Sequence, residues 1–264
     1  MSRVLRIGER ARRALARSRG TAEPLAGFAA GPYFAAAGEL IWVGARLPAM
    51  HPRAVITAEA QPRAAALQFA EIPGQGWTPA RARLDAAAAL RMVELTRMLI
   101  AAEAPRGFGV LLANGEPPFP LDLAVARVQA LARAYRNDAP EAVLTASIAL
   151  LGLGTGLTPS GDDLAGAALF GRRLLAPQHT GWEAVAERLA VEAGKRSHAI
   201  SAALFGDLVR GESFAPLHDI VNALAADDQA AALAAARELV PIGHSSGWDM
   251  FTGLVIGITG NCAS

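Results

Sequence analysis

The 264-residue sequence contains one cysteine, one lysine and no long uninterrupted apolar run. A lone Cys262 excludes a disulfide framework and a thiolate metal cluster, and it favours a reducing compartment. The longest apolar stretches, 143–153 and 250–260, are shorter than the roughly 18 to 20 residues of a membrane-spanning helix, so no membrane span is expected. The formal net charge is only +1. Because no basic stripe is present, nucleic-acid binding is also disfavoured.

The N-terminus has many arginines but no apolar run behind them. Arginines at 3, 6, 10, 12, 13, 17 and 19 are typical of a solvated amphipathic helix, and this pattern excludes a secretory signal peptide. His51, His179 and His218 show no spacing that binds zinc.

The hydrophobic fraction of 52% is enough for a sizeable core. Short β-like runs at 39–44, 54–57 and 66–70 are separated by proline and glycine, which predicts a small antiparallel sheet. A helix is predicted within 79–102, because apolar residues there recur three or four positions apart. Residues 107–113 are predicted to form one more strand.

Helical periods dominate the rest of the chain, which predicts a bundle. The expected helices are 121–136, 139–151, 161–175, 181–194, 197–210, 215–226, 228–239 and 247–258. The predicted fold class is therefore α+β, mainly α, with a small β-rich N-terminal part followed by a helical bundle. The segment Asn114–Pro118 is the best boundary, giving parts 1–115 and 116–264, unless the chain is one integrated domain.

The strongest local motif is Gly-Leu-Gly-Thr-Gly-Leu-Thr-Pro-Ser-Gly-Asp-Asp at 152–163. Alternating glycines permit positive φ and close approach to a ligand, and Ser160 is expected to cap a helix that begins at Gly161. The positive end of that helix is a natural anion site. Asp163 is expected to reach back to the backbone N–H of Ser160, whereas Asp162 has no local partner and is expected to face the ligand.

The motif is neither a P-loop nor a dinucleotide-binding fingerprint, because no Gly-Lys-Ser/Thr follows and no strand precedes it. Adjacent Asp162 and Asp163 would repel a phosphate unless a cation bridges them. The pair therefore indicates either a Mg²⁺-assisted anion site or an acid/base carboxylate. The alternative is purely structural, with the side chains capping the helix and the glycines making a turn.

Two further polar clusters interrupt the helices. In Gly-His-Ser-Ser-Gly-Trp-Asp at 243–249, a serine can cap the last helix and His244 can exchange a proton near neutral pH. In Lys-Arg-Ser-His-Ala-Ile-Ser at 195–201, Ser197 and Ser201 share a helical face. Taken singly, these clusters are a helix cap and a solvated turn. The words Ser-Gly-Asp-Asp at 160 and Ser-Gly-Trp-Asp at 246 also suggest an internal repeat.

These motifs, together with Gly211-x-x-Phe214 and Gly253, resemble the AllH-like family, which includes a subunit of the oxamate carbamoyltransferase of allantoin and purine degradation. The resemblance covers roughly residues 145–260. It implies a cytoplasmic bacterial protein that works with partner subunits, where oxalurate and phosphate become oxamate and carbamoyl phosphate. This chain departs from the family at Arg196-Ser197-His198, where threonines are usual, so its ligand contacts there are expected to differ.

Together, the motifs and the resemblance predict a carbamoyltransferase subunit that binds a small anionic substrate, a phosphate or a carboxylate. The alternatives are a non-catalytic assembly or regulatory subunit and a Mg²⁺-dependent hydrolase. No cofactor is certain, and Mg²⁺ on Asp162 and Asp163 is the one candidate. The expected catalytic residues are Asp162, Asp163 and His244, and the expected binding residues are Gly154, Gly156, Thr158, Ser160, Gly161, Ser197, Ser201, Ser245, Ser246, Gly247 and Asp249.

Overall fold

A computed structural model describes residues 3–25, 32–60, 65–80, 82–175 and 179–262. The chain is 55% helical and 11% strand, so the predicted α+β, mainly α class is confirmed. No helix within the described ranges is both long and apolar enough to cross a bilayer. Contacts divide the chain into two compact units, residues 1–80 with 213–215 and residues 81–212 with 216–264. This division lies before the 114–118 segment that the sequence suggests.

In its described residues, the first unit is a six-stranded sheet with one helix, α1 (Glu9–Arg17). In sheet order the strands are β1 (Val4–Ile7), β5 (Ala54–Thr57), β4 (Glu39–Gly44), β3 (Tyr33–Ala36), β2 (Thr21–Pro24) and β6 (Leu67–Gln68). Ala11, Ala14 and Leu15 of α1 are buried in a core shared with alternating apolar residues of the strands. The arginine-rich N-terminus is thus a strand followed by a short helix rather than helix throughout.

The sheet is mixed, and the expectation of a purely antiparallel sheet was wrong. Strand β4 pairs with β5 in parallel, whereas the other pairs are antiparallel. The segment 45–53 between them returns the chain to the end of the sheet at which β4 begins. Its last residue, Arg53, is buried and donates to the Glu39 carboxylate and to the Leu40 carbonyl, each at 3.1 Å. These bonds hold the return segment against β4.

The second unit is helical. Its helices are α2 (Ala88–Ala102), α3 (Val125–Arg136), α4 (Pro140–Ile148), α5 (Ser160–Leu175), α6 (Thr180–Arg196), α7 (Ala199–Val209), α8 (Ala215–Ala225, whose first residue belongs to the first unit), α9 (Gln229–Leu239) and α10 (Ser246–Thr259). Helix α2 begins later than the sequence suggested. A 3₁₀ helix, Leu121–Ala124, precedes α3.

The strand predicted at 107–113 is instead a 3₁₀ helix, Gly107–Ala113. Its buried side chains Phe108, Leu111 and Leu112 are spaced as on one side of a helix, not alternately as in a strand. Gly107 has a φ of +54°, which favours glycine and starts the turn.

Helices α5 and α10 form the centre of the second unit. They run in the same direction, because Gly253 packs on Leu164 and Gly257 packs on Ala168, one turn further along each helix. A Cβ at Gly257 would lie 2.0 Å from the Ala168 carbonyl oxygen. The two backbones therefore touch, and the two helix N-termini lie at the same end of the unit.

Candidate functional site

The glycine loop before α5 folds tightly onto the start of that helix. Gly152, Gly154 and Gly156 all have positive φ, of +76°, +117° and +100°. A Cβ at Gly154 would lie 2.7 Å from the Ser160 nitrogen. The first turn of α5 is closed by the Pro159 carbonyl, which accepts from the N–H groups of Asp162 and Asp163. The helix thus begins at Ser160, one residue earlier than expected, and the loop backbone lies directly beneath it.

Asp162 accepts hydrogen bonds from the glycine loop and from two serines. Its Oδ1 accepts a 2.7 Å hydrogen bond from the Gly152 N–H, and its Oδ2 accepts from the hydroxyls of both Ser197 and Ser201. The side chain is 1% exposed. Asp162 therefore joins the loop, the first turn of α5 and the junction between α6 and α7. As expected, Asp162 has no partner among its immediate neighbours in the sequence, and the partners that it does have are distant in sequence.

The N-terminus of α10 repeats the construction of α5. Gly161 and Gly247 each follow the first serine of the helix, and a Cβ at either would lie 2.0 Å from a carbonyl oxygen of the preceding segment, Leu150 and Leu239 respectively. The N–H of Gly161 donates to the Leu153 carbonyl, and that of Gly247 donates to the Ile242 carbonyl, both at 2.9 Å. The two Ser-Gly-x-Asp words are therefore equivalent in structure as well as in sequence.

The two helix N-termini are side by side, and their hydroxyl groups contact each other. The Thr158 and Ser246 hydroxyl oxygens are 2.8 Å apart, and those of Ser160 and Ser245 are 3.4 Å apart. Neither α5 nor α10 is capped in the expected way, since Ser245 makes no capping hydrogen bond and the Ser160 hydroxyl is directed towards α10. The serines expected to cap helices instead line the space between them.

Asp163 and Asp249 lie within this hydroxyl cluster. The hydroxyls of Ser246 and Thr158 hydrogen bond to Asp163, and those of Ser160 and Ser245 hydrogen bond to Asp249. The expected bond from Asp163 back to the Ser160 N–H is thus replaced by bonds to side chains. Each aspartate uses the serine that opens the other helix.

The 3₁₀ helix at Gly107–Ala113 completes the cluster, and the sequence analysis missed it. The Phe108 N–H donates to Oδ1 of Asp249 at 2.7 Å. A Cβ at Gly107 would lie 2.4 Å from the same oxygen, so only glycine fits there. The Gly-Phe-Gly spacing was the available signal, but a strand prediction for 107–113 concealed it.

Burial perturbs both aspartates in the cluster. It raises the pKa of Asp249 to about 6, although the Phe108 N–H and the Ser160 and Ser245 hydroxyls act in the opposite direction. Burial and the nearby negative charge of Asp249 raise the pKa of Asp163 well above its usual range. Oδ2 of each residue is buried without a hydrogen-bond partner among the described residues. Two acidic groups with perturbed pKa values and unused oxygens in one cluster make this cluster the candidate functional site.

The remaining expected site residues lie towards solvent. Gly156 is exposed, and its carbonyl is 3.2 Å from Nε2 of His198 at the α6–α7 junction. His244 is exposed beside Ser245. The structure thus brings nine expected residues into one partly buried cluster: Gly154, Thr158, Ser160, Gly161, Asp163, Ser245, Ser246, Gly247 and Asp249. Asp162, Ser197 and Ser201 adjoin this cluster, and Gly156 and His244 lie at its outer side.

The suggested Mg²⁺ site on Asp162 and Asp163 does not fit the donor set. Both oxygens of Asp162 already accept hydrogen bonds, and the raised pKa of Asp163 favours its neutral form. Throughout the described ranges, no group of three or more His, Cys, Asp or Glu side chains is arranged to hold a metal ion. The arrangement therefore gives no support to the metal-dependent hydrolase.

A comparison with protein families connects this geometry to known sequences. The family described as oxamate carbamoyltransferase subunit AllH matches residues 150–258, so the resemblance to AllH-like proteins is confirmed over that segment. The matched segment runs from the glycine loop to the last turn of α10 and includes both Ser-Gly-x-Asp words. No curated protein and no solved structure matches the chain.

Proposed function

We propose that this chain is a subunit of a carbamoyltransferase-type enzyme acting on small anionic ureido acids. In the proposed reaction, oxalurate and phosphate are converted to oxamate and carbamoyl phosphate, in the cytoplasm and together with partner subunits. One structural observation carries the proposal: the N-termini of α5 and α10 lie side by side, with hydroxyls and acidic groups between them. The family match over the same segment supports it.

The chemistry of the site suits small anions. The N-terminal end of each helix carries a partial positive charge, and two such ends side by side favour a phosphate or a carboxylate. The hydroxyls of Thr158, Ser160, Ser245 and Ser246 are further donors. In our proposal, the glycine loop binds the anionic group with its backbone N–H groups, and Gly154 and Gly156 permit the close approach.

Carbamoyl transfer also requires donors aimed at a carbonyl oxygen that gains negative charge during attack. The hydroxyls between the helices are the candidates for this role. Asp163 and Asp249 are suited to proton exchange, because their raised pKa values lie closer to neutral pH than those of ordinary carboxyls. His244, exposed beside Ser245, is a further proton carrier at the edge of the site.

Thermal unfolding of the full-length chain in the presence of inorganic phosphate or oxamate tests this proposal. A ligand at 100 times its dissociation constant adds about 2.7 kcal/mol to the free energy of unfolding, so a rise of several degrees in Tm is expected. Gly154→Ala should abolish the rise, because its Cβ would lie 2.7 Å from the Ser160 nitrogen.

Gly211→Ala is the matched control. Gly211 also has positive φ, +81°, but a Cβ there meets nothing within 4 Å. Both variants are expected to lose stability from backbone strain, and only Gly154→Ala should lose the ligand response. If neither phosphate nor oxamate shifts the Tm of the native chain, the non-catalytic assembly subunit becomes the better explanation.

A further inference from the structure

The two Ser-Gly-x-Asp words make one reciprocal unit rather than two separate helix starts. Ser246 hydrogen bonds to Asp163, and Ser160 hydrogen bonds to Asp249. Because α5 and α10 are parallel and start at the same end, this exchange relates the two aspartates by an approximate twofold axis between the helices. Asp163 and Asp249 therefore occupy equivalent positions at the two helix starts.

Each aspartate of this pair has one carboxyl oxygen without a hydrogen-bond partner among the described residues. Oδ2 of Asp163 and Oδ2 of Asp249 are buried and make no hydrogen bond within the described part of the chain. Asp249 is 0% exposed and Asp163 is 6% exposed. Buried polar atoms are paired in nearly all folded proteins, so two unused oxygens facing the same cluster indicate a bound partner that supplies the missing hydrogen bonds.

The two sides differ in charge state. The groups that act on the pair are hydroxyls, the Phe108 N–H and the Asp162 carboxylate, and no cationic side chain is among them. Two carboxyl groups this close in a buried site resist ionising together. The Phe108 N–H donates to Oδ1 of Asp249 at 2.7 Å and so favours the charged form of Asp249. A single proton is then held by Asp163, which leaves one O–H donor and one carboxylate acceptor.

We propose that Asp163 and Asp249 hold the amide group of the substrate, with Asp163 donating to its carbonyl oxygen and Asp249 accepting from its N–H. An amide presents one acceptor and one donor on the same edge, which matches the two unlike aspartates. A second carboxylate in place of the amide would be repelled by the negative charge of Asp249. The amide thus binds the aspartate pair, and the anionic end of the same molecule binds the loop and helix N-termini. This inference rests on the proposed function for the identity of the substrate.

Oxamate and oxalate test the inference, because they differ only in an amide against a second carboxylate. Calorimetric titration of the full-length chain at neutral pH should show oxamate binding at least about tenfold more tightly than oxalate. Asp163→Ala should weaken oxamate binding about tenfold or more, the scale of one lost hydrogen bond to a charged or buried partner. Inorganic phosphate, which lacks an amide, should bind the native chain and the variant within about twofold.

The outcomes separate this inference from the proposed function. If phosphate binds but oxamate and oxalate bind equally, or if oxamate does not bind, the amide role of the pair is overturned and the anion site stands. If oxamate is preferred but phosphate does not bind, the aspartate pair stands and the transfer of the carbamoyl group to phosphate fails. The ratio of the oxalate and oxamate dissociation constants, measured on the native chain, tests the amide role of the aspartate pair even if Asp163→Ala does not fold.

Discussion

The backbone N–H of Gly152 donates to Oδ1 of Asp162 at 2.7 Å, so the first residue of the glycine loop is held by the first turn of the helix that follows it. The neighbouring Asp163 makes no such bond to the loop backbone. Its partners are hydroxyls, and one of its oxygens is unused within the described residues. Two adjacent carboxylates therefore have different surroundings, and the proposed function gives Asp162 a supporting role and Asp163 a role in proton or ligand contact.

This difference predicts opposite effects for two isosteric substitutions. Asp162→Asn should lower the free energy of unfolding by about 1 to 3 kcal/mol, because the amide NH₂ that replaces one oxygen cannot accept, so either the Gly152 N–H or the two serine hydroxyls lose their acceptor. Asp163→Asn should leave stability unchanged or raise it, because it removes a poorly compensated buried acid. Denaturant unfolding of both variants measures this. Equal losses in the two variants would contradict the division of roles.

The raised pKa of Asp249 predicts that stability falls with rising pH. The folded state holds the proton up to pH about 6, whereas the unfolded carboxyl loses it near pH 4. Between these values the folded state binds more protons, so the free energy of unfolding decreases as pH increases, by about 3 kcal/mol in total. The pKa of Asp163 is also raised, by burial and by the nearby Asp249, so Asp163 contributes to stability in the same direction.

The comparison of native chain and Asp249→Asn isolates this effect from other titrating groups. Relative to Asp249→Asn, the native chain should lose free energy of unfolding as the pH rises from 4 to 6. A difference that stays constant over this range would show that Asp249 titrates normally.

The lowered pKa of Glu9, in the first unit, predicts the opposite pH dependence, a stability that falls as the pH decreases. Its carboxylate accepts from Arg12 at 2.7 and 2.8 Å, from Arg13 at 2.7 Å and from the Gly76 N–H at 3.2 Å. The Arg12 hydrogen bond is the main cause that lowers the pKa of Glu9 to about 2. The stabilisation is therefore present above pH about 4 and is lost as pH falls towards 2.

Glu9→Gln should accordingly lower Tm slightly at neutral pH and leave it unchanged near pH 2. The arginine partners are solvated, so the neutral-pH loss should be no more than about a few degrees. Circular dichroism melting curves at both pH values measure it. A larger loss at the acid end would contradict the ion-pair explanation.

The close contact between α5 and α10 predicts that one methyl group added between them strongly lowers the free energy of unfolding. At Gly257 a Cβ would lie 2.0 Å from the Ala168 carbonyl oxygen, so Gly257→Ala must push the helices apart, at a cost of about 3 kcal/mol or more. Gly194→Ala, in α6, is the matched control, because a Cβ there meets nothing within 4 Å. It should raise stability by about 0.5 to 1 kcal/mol through higher helix propensity. Similar effects in both variants would mean that the helices do not touch as described.

The sequence predicted features that depend on local pattern. The helical bundle, the strands at 39–44 and 54–57 and the glycine loop were visible in periodicity and turn chemistry. What it did not predict depends on distant partners. Strand β1 lies in an arginine-rich stretch and is defined by its pairing with β5, and the parallel pairing of β4 with β5 has no signature within either strand.

The candidate site divides in the same way. The residue types at the two helix N-termini could be named from the sequence, and the repeated Ser-Gly-x-Asp word indicated their equivalence. The hydrogen-bond partners of Asp162 and Asp163 could not be predicted, because local capping rules do not include Ser197, Ser201 or Ser246. The contribution of Gly107 and Phe108 was missed for the same reason, since Asp249 is far from them in the sequence.

Helices α5 and α10 are enclosed on every face, with all residues buried from Ser160 to Gly171 and from Gly247 to Ile258. Segments shielded in this way exchange their backbone hydrogens only in the rarest opening events. The hydroxyl and aspartate cluster is thus attached to the part of the second unit that opens last, while its outer rim at Gly156 and His244 borders solvent. In the proposed function, a ligand would therefore enter and leave through this rim, without any separation of the two helices that hold the aspartates in place.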